Sequence, residues 1–276
     1  MGTPGAQEQY VLEGNEGELQ RLADQHDVLK ASMGTLVLAP VDFSNHLRIL
    51  DSGTADGLWL RELQESLDTS HTYVGTDINA AFFPEDHPGV SLQVQSITQD
   101  WPREWASSFD YVHQRLTLVG AGQTPVKDCV AKLVNLIKAG GWIELIEADF
   151  TGESPNGPAM QKYETLLRTF FDITGVGSDF SKSLKGYLED EGLQDVQEMV
   201  FSIPYGNACH DATLAEKGSS HLLSALKGVW DFLHGNTSTS LDAEFRVLRD
   251  EVERELEYRG AHVKMVAVWA RQPVRS

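Results

Sequence analysis

The residues of this chain best suited to chemistry are two aspartates that end apolar runs and the glycine-rich turn beside the first. Leu47-Arg48-Ile49-Leu50 is a short strand pattern closing on Asp51, and Ser52-Gly53-Thr54-Ala55-Asp56-Gly57 follows at once. Glycine lets a backbone turn sharply into a helix and approach a ligand closely. About twenty residues on, Tyr73-Val74-Gly75-Thr76 is a second strand pattern ending in Asp77, with Ile78 after it. That is the separation at which an acid reaches ribose hydroxyls. A third run, Leu92-Gln93-Val94-Gln95, leads into Ser96-Ile97-Thr98. Open parallel sheets bind ligands beyond the carboxyl ends of their strands. Together these residues describe a site for an adenosine-containing cofactor.

The turn also narrows the choice of cofactor. A dinucleotide fingerprint needs three glycines and a pyrophosphate on a helix N-terminus. Here Ala55 holds the second glycine place and Leu58 the third. Asp51 at the loop entrance repels a pyrophosphate and favours a cation. The Gly-Lys-Ser/Thr of a phosphate-binding loop is absent. A sulfonium cofactor carrying an amino group suits the arrangement better.

Two further residues belong to the same region. His113 lies just past the fourth strand pattern, where a histidine can border the cofactor or act as a general base near neutral pH. Glu147 ends the fifth, beside the same cleft, and a structural role is its favoured reading. His210-Asp211 has no companions at ligand spacing, and no metal site is expected.

The elements that position these residues follow a regular rhythm. Leu19, Leu22, His26, Leu29 and Met33 recur at helical steps over the first 45 residues, an apolar face with His26 set into it. Strand patterns then alternate with helical ones. Phe109-Asp110-Tyr111-Val112-His113 is the fourth strand; Thr124 and Pro125 open a helix with Val126, Val130, Leu133, Val134 and Ile137 as its buried face. Gly140-Gly141 stops that helix before a fifth strand, Trp142-Ile143-Glu144-Leu145-Ile146. Beyond it come a helix through Met160, Tyr163, Leu166, Leu167 and Phe170, a sixth strand near Val196 to Ile203, two more helices, and a last strand from His262 to Trp269. Trp230 and Phe232 in the first of those two helices could line an apolar pocket, although their spacing also suits core packing. The alternation predicts an α/β fold with a doubly wound, mainly parallel sheet.

Composition excludes several classes. With 22 Lys+Arg against 41 Asp+Glu the formal charge is −19, so a nucleic-acid partner, which needs a basic face, is not expected. Two cysteines, Cys129 and Cys209, form no disulfide framework and point to a reducing compartment. The first ten residues lack the basic start and apolar core of a signal peptide, and no apolar stretch is long enough to span a bilayer. A cytoplasmic protein with no membrane partner is the expectation, with nuclear presence left open.

Leu50-Asp51-Ser52-Gly53-Thr54-Ala55-Asp56-Gly57-Leu58-Trp59 resembles the first motif of the class I S-adenosylmethionine-dependent methyltransferases, and Val74-Gly75-Thr76-Asp77 is similar to their acidic second motif. Trp101-Pro102, the run from Phe109 through His113 to Leu116, Gly140-Gly141-Trp142-Ile143-Glu144-Leu145-Ile146-Glu147 and Trp269-Ala270-Arg271-Gln272-Pro273 extend the match. So do Arg21-Leu22 and Gln25-His26. The set resembles the fungal secondary-metabolism methyltransferases, over roughly residues 10 to 273. The resemblance implies a seven-stranded Rossmann-like methyltransferase sheet with an N-terminal helical lid at 1–45. The methyltransferase domain would then run over 46–276, with substrate-cap segments near 155–180 and 207–258. It implies S-adenosylmethionine as cofactor, S-adenosylhomocysteine as product, and a small-molecule acceptor methylated by in-line displacement, on oxygen or nitrogen before sulfur or carbon. Asp51, Gly53, Thr54, Gly57, Asp77, Ile78, Ser96, Ile97 and His113 are then cofactor candidates. Tyr10, Gln25, His26 and Glu147 are substrate candidates, and His113 is the candidate catalytic residue. Two other readings stay open: a regulatory interaction protein without turnover, and a cofactor-retaining enzyme that does not methylate. Oligomeric state is open too, a dimer included.

Overall fold

The computed structural model describes residues 17–68, 70–235 and 239–274; Tyr10 lies outside the described residues. Chain order is α1 (Glu18–Met33), β1 (Arg48–Ser52), α2 (Leu58–Ser66), β2 (Thr72–Asp77), β3 (Val90–Val94), β4 (Phe109–Arg115), α3 (Val126–Val134), β5 (Ile137–Ala148), α4 (Pro158–Thr174), α5 (Leu184–Asp190), β6 (Gln194–Tyr205), α6 (Ala212–His234), α7 (Thr239–Tyr258) and β7 (Ala261–Arg271). The strands form one seven-stranded sheet in the order β3-β2-β1-β4-β5-β7-β6. Pairings from β3 through β5 are parallel, and β7 runs antiparallel to both neighbours. Strand order reverses at β1, so the crevice beyond β1 and β4 is the switch point where α/β sheets take ligands.

Register fixes which side chains share that crevice. Asp51 pairs with Gly75 on β2 and with His113 on β4, and His113 pairs with Glu144 on β5. Because strand side chains alternate between faces, Asp51, His113 and Glu144 lie in one row on the α2 side of the sheet. Ile49, Trp59, Leu60, Leu63, Tyr73 and Tyr111 form the apolar core of that face. Leu50, Val112, Ile143 and Leu145 point the other way, into a core completed by α3 and α5. A third core joins α1, α4, α6 and α7 over the β6–β7 end.

Several sequence expectations are corrected. Ile137 is not on a helix: α3 ends at Val134 and Ile137 begins β5, paired with Phe109. Gly140 and Gly141 therefore sit inside the strand, not at a helix stop. They serve an irregularity where the β4–β5 register shifts between Phe109 and Tyr111. A Cβ on Gly141 would stand 2.8 Å from the Asp110 carbonyl oxygen. Pro125 is the residue preceding α3, with ψ of 128°, and Val126 is its first helical residue. Leu19 is 40 % exposed; α1 buries Arg21, Asp24, His26, Val28 and Leu29 instead, because its neighbours are the polar ends of β4 and α2 as well as α6. Asp211 of the His210-Asp211 pair caps α6, accepting the Leu214 N–H at 2.9 Å.

Candidate active site

The strand ends and the overlying helices enclose a cavity of about 840 Å³. Its floor contains Asp51, Gly53, Thr54, Ala55, Asp77, Ile78, Ser96, Ile97 and His113. Its roof draws on Gln25 and His26 of α1, Tyr163, Phe170 and Phe171 of α4, and His221 and Phe232 of α6. Gly57 and Glu147 do not line it. Neither does Trp230, which stacks on His234 at 4.1 Å between ring centroids. Among the described residues α7 supplies no lining either; it backs the roof through Phe245, Leu248, Val252 and Leu256.

The turn after β1 is built for close approach. Gly53 has φ of +78°, and a Cβ there would lie 2.6 Å from Thr117 Cγ2. Gly53 and Thr54 both donate their N–H to the Thr76 carbonyl, at 2.7 and 2.8 Å. Ala55 holds the left-handed region with φ of 51°, and its N–H donates to Asp77 Oδ2 at 3.0 Å. The second motif thus holds the first in shape. Gly57 is the residue preceding α2, with φ of 80°, between the lining residues Asp56 and Leu58.

Asp77 is buried at 7 % exposure, and its Oδ1 accepts the Asn79 N–H at 3.0 Å. Burial raises its pKa, the neighbouring Asp51 adds to that, and the backbone N–H groups oppose it. Such a carboxylate retains acceptor capacity for hydroxyl donors from a ligand. Just past the end of β3, Ser96 Oγ accepts the Thr98 N–H at 3.1 Å, and Ile97 lines the cavity together with Ile78.

His113 Nδ1 lies 2.8 Å from Asp51 Oδ1, and its ring stacks on Trp59. The carboxylate can only accept, so Nδ1 carries a proton. Nε2 is buried without a hydrogen-bond partner.

The roof helix is fastened by a chain of polar contacts. Arg115, at the end of β4, donates from Nη2 to His26 Nδ1 at 2.9 Å. His26 Nε2–H then donates to Glu62 Oε2 on α2 at 3.0 Å, and Lys30 reaches the same oxygen at 2.7 Å. Burial lowers the His26 pKa, with Arg115 adding to it and Glu62 opposing. His26, Asp27 and Glu62 bring candidate metal-ligand atoms within 4.8 Å of one another. Lys30 and Lys217 already pair with the two carboxylates, so the cluster is charge-compensated as it stands.

Glu147 sits at 3 % exposure, with Oε1 accepting the Thr117 and Leu118 N–H groups at 3.0 and 2.9 Å. Burial pushes its pKa up to about 7 against those two donors. It shapes the cavity wall from behind.

The chain is 37 % identical over 275 residues to the N-methyltransferase sirN of Leptosphaeria maculans, covering 96 % of this chain and 95 % of that one. It is 33 % identical to the N-methyltransferase gliN of Aspergillus fumigatus, over 98 % and 99 % of the two chains. The chain belongs to the S-adenosylmethionine-dependent methyltransferases of fungal secondary metabolism. No protein-family model matches it. Among solved structures, the fold of this methyltransferase is similar to a Haemonchus contortus phosphoethanolamine N-methyltransferase in complex with phosphomonomethylethanolamine and S-adenosylhomocysteine. The TM-score is 0.52 at 14 % identity, and the match covers 93 % of this chain and 53 % of the worm enzyme; the chain spans about half of that protein.

The floor of the methyltransferase fits its cofactor on three structural grounds. A buried carboxylate, Asp77, has acceptor capacity left; the Gly53 cradle would be filled by a Cβ; and the buried His113 Nε2 has no partner. The sequence identified this floor but missed most of the roof. Tyr163, Tyr205 and His221 all line the cavity, and no local motif marks them; Arg21, of the Arg21-Leu22 pair, lines it as well. No helix among the described residues is long and apolar enough to cross a membrane.

Proposed function

We propose that the chain N-methylates a small, largely apolar molecule held under α1, α4 and α6. The observation that carries this reading is the continuity of one cavity. Its floor offers strand-end acids and a glycine turn, while its roof is mainly aromatic and aliphatic around Gln25, His26 and His221. A volume of about 840 Å³ is at the upper end of the range for small-molecule sites, which suits a cofactor and an acceptor side by side. The names of the relatives sirN and gliN favour nitrogen over oxygen as the acceptor atom.

S-adenosylmethionine supplies, when bound, an electrophilic methyl group on a sulfonium leaving group. Asp77 would hold the ribose hydroxyls, and Ile78, Ser96 and Ile97 the adenine. Asp51, Gly53, Thr54 and His113 would border the amino-acid end. Gln25 and His26 would close the acceptor side, while Glu147 and Gly57 act from behind by fixing the Thr117-Leu118 backbone and the start of α2. The task of these residues is chiefly to hold an acceptor nitrogen in line and exclude water.

Calorimetric titration with S-adenosylhomocysteine, and separately with NAD, tests the floor assignment. Binding of the first alone is expected. Transfer of an isotope-labelled methyl group to amide- and amine-bearing acceptors, compared with hydroxyl-bearing ones, tests the acceptor atom. Label found only on hydroxyl acceptors would overturn the choice of nitrogen.

A further inference from the structure

Two side chains of opposite charge line the cavity from the neighbouring strands β1 and β4: Asp51 and Arg115. Asp51 is in register with His113, and Arg115 ends β4 two residues further on. Strand alternation therefore sets Arg115 on the same face of the sheet as the Asp51–His113 row.

Each of the two is held by one histidine and left partly uncommitted. Asp51 spends Oδ1 on the His113 Nδ1–H at 2.8 Å. Arg115 spends Nη2 on His26 Nδ1 at 2.9 Å. His26 accepts there because its proton sits on Nε2, donated to Glu62 Oε2 at 3.0 Å, and Lys30 anchors the same oxygen. Both His26 nitrogens are thereby committed to holding the guanidinium. Among the described residues no carboxylate pairs directly with Arg115. Burial lowers its pKa, and Asp51, Glu144 and Glu62 oppose that only through space. A guanidinium nevertheless keeps its charge in proteins. Asp51 Oδ2 and the other Arg115 nitrogens are not sealed inside the protein; they open on the cavity that both residues line.

A cation placed this deep without a partner is costly, and its planar fork of N–H donors matches the two oxygens of a carboxylate. An open carboxylate oxygen on β1 beside an open guanidinium on β4 is the complement of an α-amino acid zwitterion. Strand order says which end of the cofactor lies there. Ile97 and Ile78 follow β3 and β2 and Asp77 ends β2, so adenine and ribose fall on that side, and the amino-acid end falls on β1 and β4.

We infer that Arg115 binds the carboxylate of the cofactor's amino-acid end, with His26 as the positioning residue that holds the guanidinium for it. The inference rests on the methyltransferase reading of the cavity.

The test compares S-adenosylhomocysteine with its decarboxylated analogue, which keeps the adenosine and the amine, by calorimetry on the full chain. The wild type should prefer the intact ligand by about ten- to a hundred-fold, the range for charge-assisted hydrogen bonds. Arg115→Met should erase most of that preference by weakening S-adenosylhomocysteine alone. Arg115→Lys keeps a point charge without the fork and should retain part of it. His26→Leu should narrow the preference a few-fold, a split between ligands that a merely structural role would not give. Affinity for the analogue should stay unchanged in all three variants, which also reports that they fold. Equal affinity of the wild type for the two ligands overturns the inference without any variant. A loss in Arg115→Met shared equally by both ligands overturns it too. So does a loss confined to a carboxylate probe, phenylacetate, bound beside saturating S-adenosylhomocysteine, which would put the anion on the acceptor. Failure of the wild type to bind either adenosine ligand overturns the methyltransferase reading of the floor instead.

Discussion

His113 lies flat against Trp59, with 3.9 Å between ring centroids and 4° between planes, while its Nδ1 meets Asp51 Oδ1 at 2.8 Å. The stack fixes the plane of the imidazole and the carboxylate fixes its tautomer. One nitrogen is thereby spent on the sheet, and the other is left for the cavity contents. The two side chains come from adjacent strands in direct register, Asp51 opposite His113, so the pair is a property of the sheet rather than of a loop.

His113→Phe keeps a flat ring on Trp59 but strips Asp51, 4 % exposed, of its imidazole partner. A buried carboxylate that loses its partner costs about 3 kcal/mol. Asp51→Asn in the same chain should recover part of that loss, with a coupling energy of roughly 1–3 kcal/mol. Urea unfolding of the two single variants and the double variant measures it. Additive effects would mean that the 2.8 Å contact contributes nothing to the fold.

Asp77→Ala removes the carboxylate that supports Ala55 and Asn79 and that would meet the ribose. Charge-assisted hydrogen bonds contribute about 1.5–3 kcal/mol each, so S-adenosylhomocysteine should bind roughly ten- to a hundred-fold more weakly. Asp77→Asn leaves one accepting oxygen and should fall between the two. Calorimetry reads both, and a dissociation constant unchanged in Asp77→Ala would remove Asp77 from the site.

Gly53→Ala faces two separate penalties. Its φ of +78° costs an L-residue about 1–2 kcal/mol, and the added Cβ collides with Thr117. Pairing it with Thr117→Ala should recover most of the steric part, Thr117 Cβ itself standing 2.9 Å away, and leave a double variant still less stable than Thr117→Ala alone. Thermal unfolding of the series separates the two penalties. Full recovery in the double variant would show that backbone strain at Gly53 is negligible.

The floor is legible in the sequence because its parts are local. An acid at a strand end, a glycine in the turn and a second acid one crossover later all sit within about thirty residues, and strand direction does the rest. The roof is not, because Arg21 and His221 are 200 residues apart and meet only when α1 packs on α6. Ile137 misleads for a different reason: an apolar residue three after Val134 continues a helical stripe and also starts a buried strand, and only pairing with Phe109 decides. Glu147 carries a subtler clue. It stands an odd number of residues from Glu144, so strand alternation places it on the opposite face from the Asp51–His113 row, under the Thr117-Leu118 backbone.

Glu147 also gives the protein a pH signature. Its carboxyl is pushed from 4.5 to about 7 by burial, so between those values the folded state holds a proton that the unfolded chain has released. Stability must then fall as pH rises through that window and level off above it. The contribution is on the order of 3 kcal/mol, because each tenfold change in proton affinity is worth about 1.4 kcal/mol. Glu147→Gln keeps an oxygen for the Thr117 and Leu118 N–H groups but cannot titrate. The difference in unfolding free energy between wild type and Glu147→Gln, followed by urea titration from about pH 4.5 to 8, should therefore slope across the window and flatten beyond about pH 7. A difference that stays constant with pH would mean that water reaches this carboxylate and that the wall behind Thr117 opens.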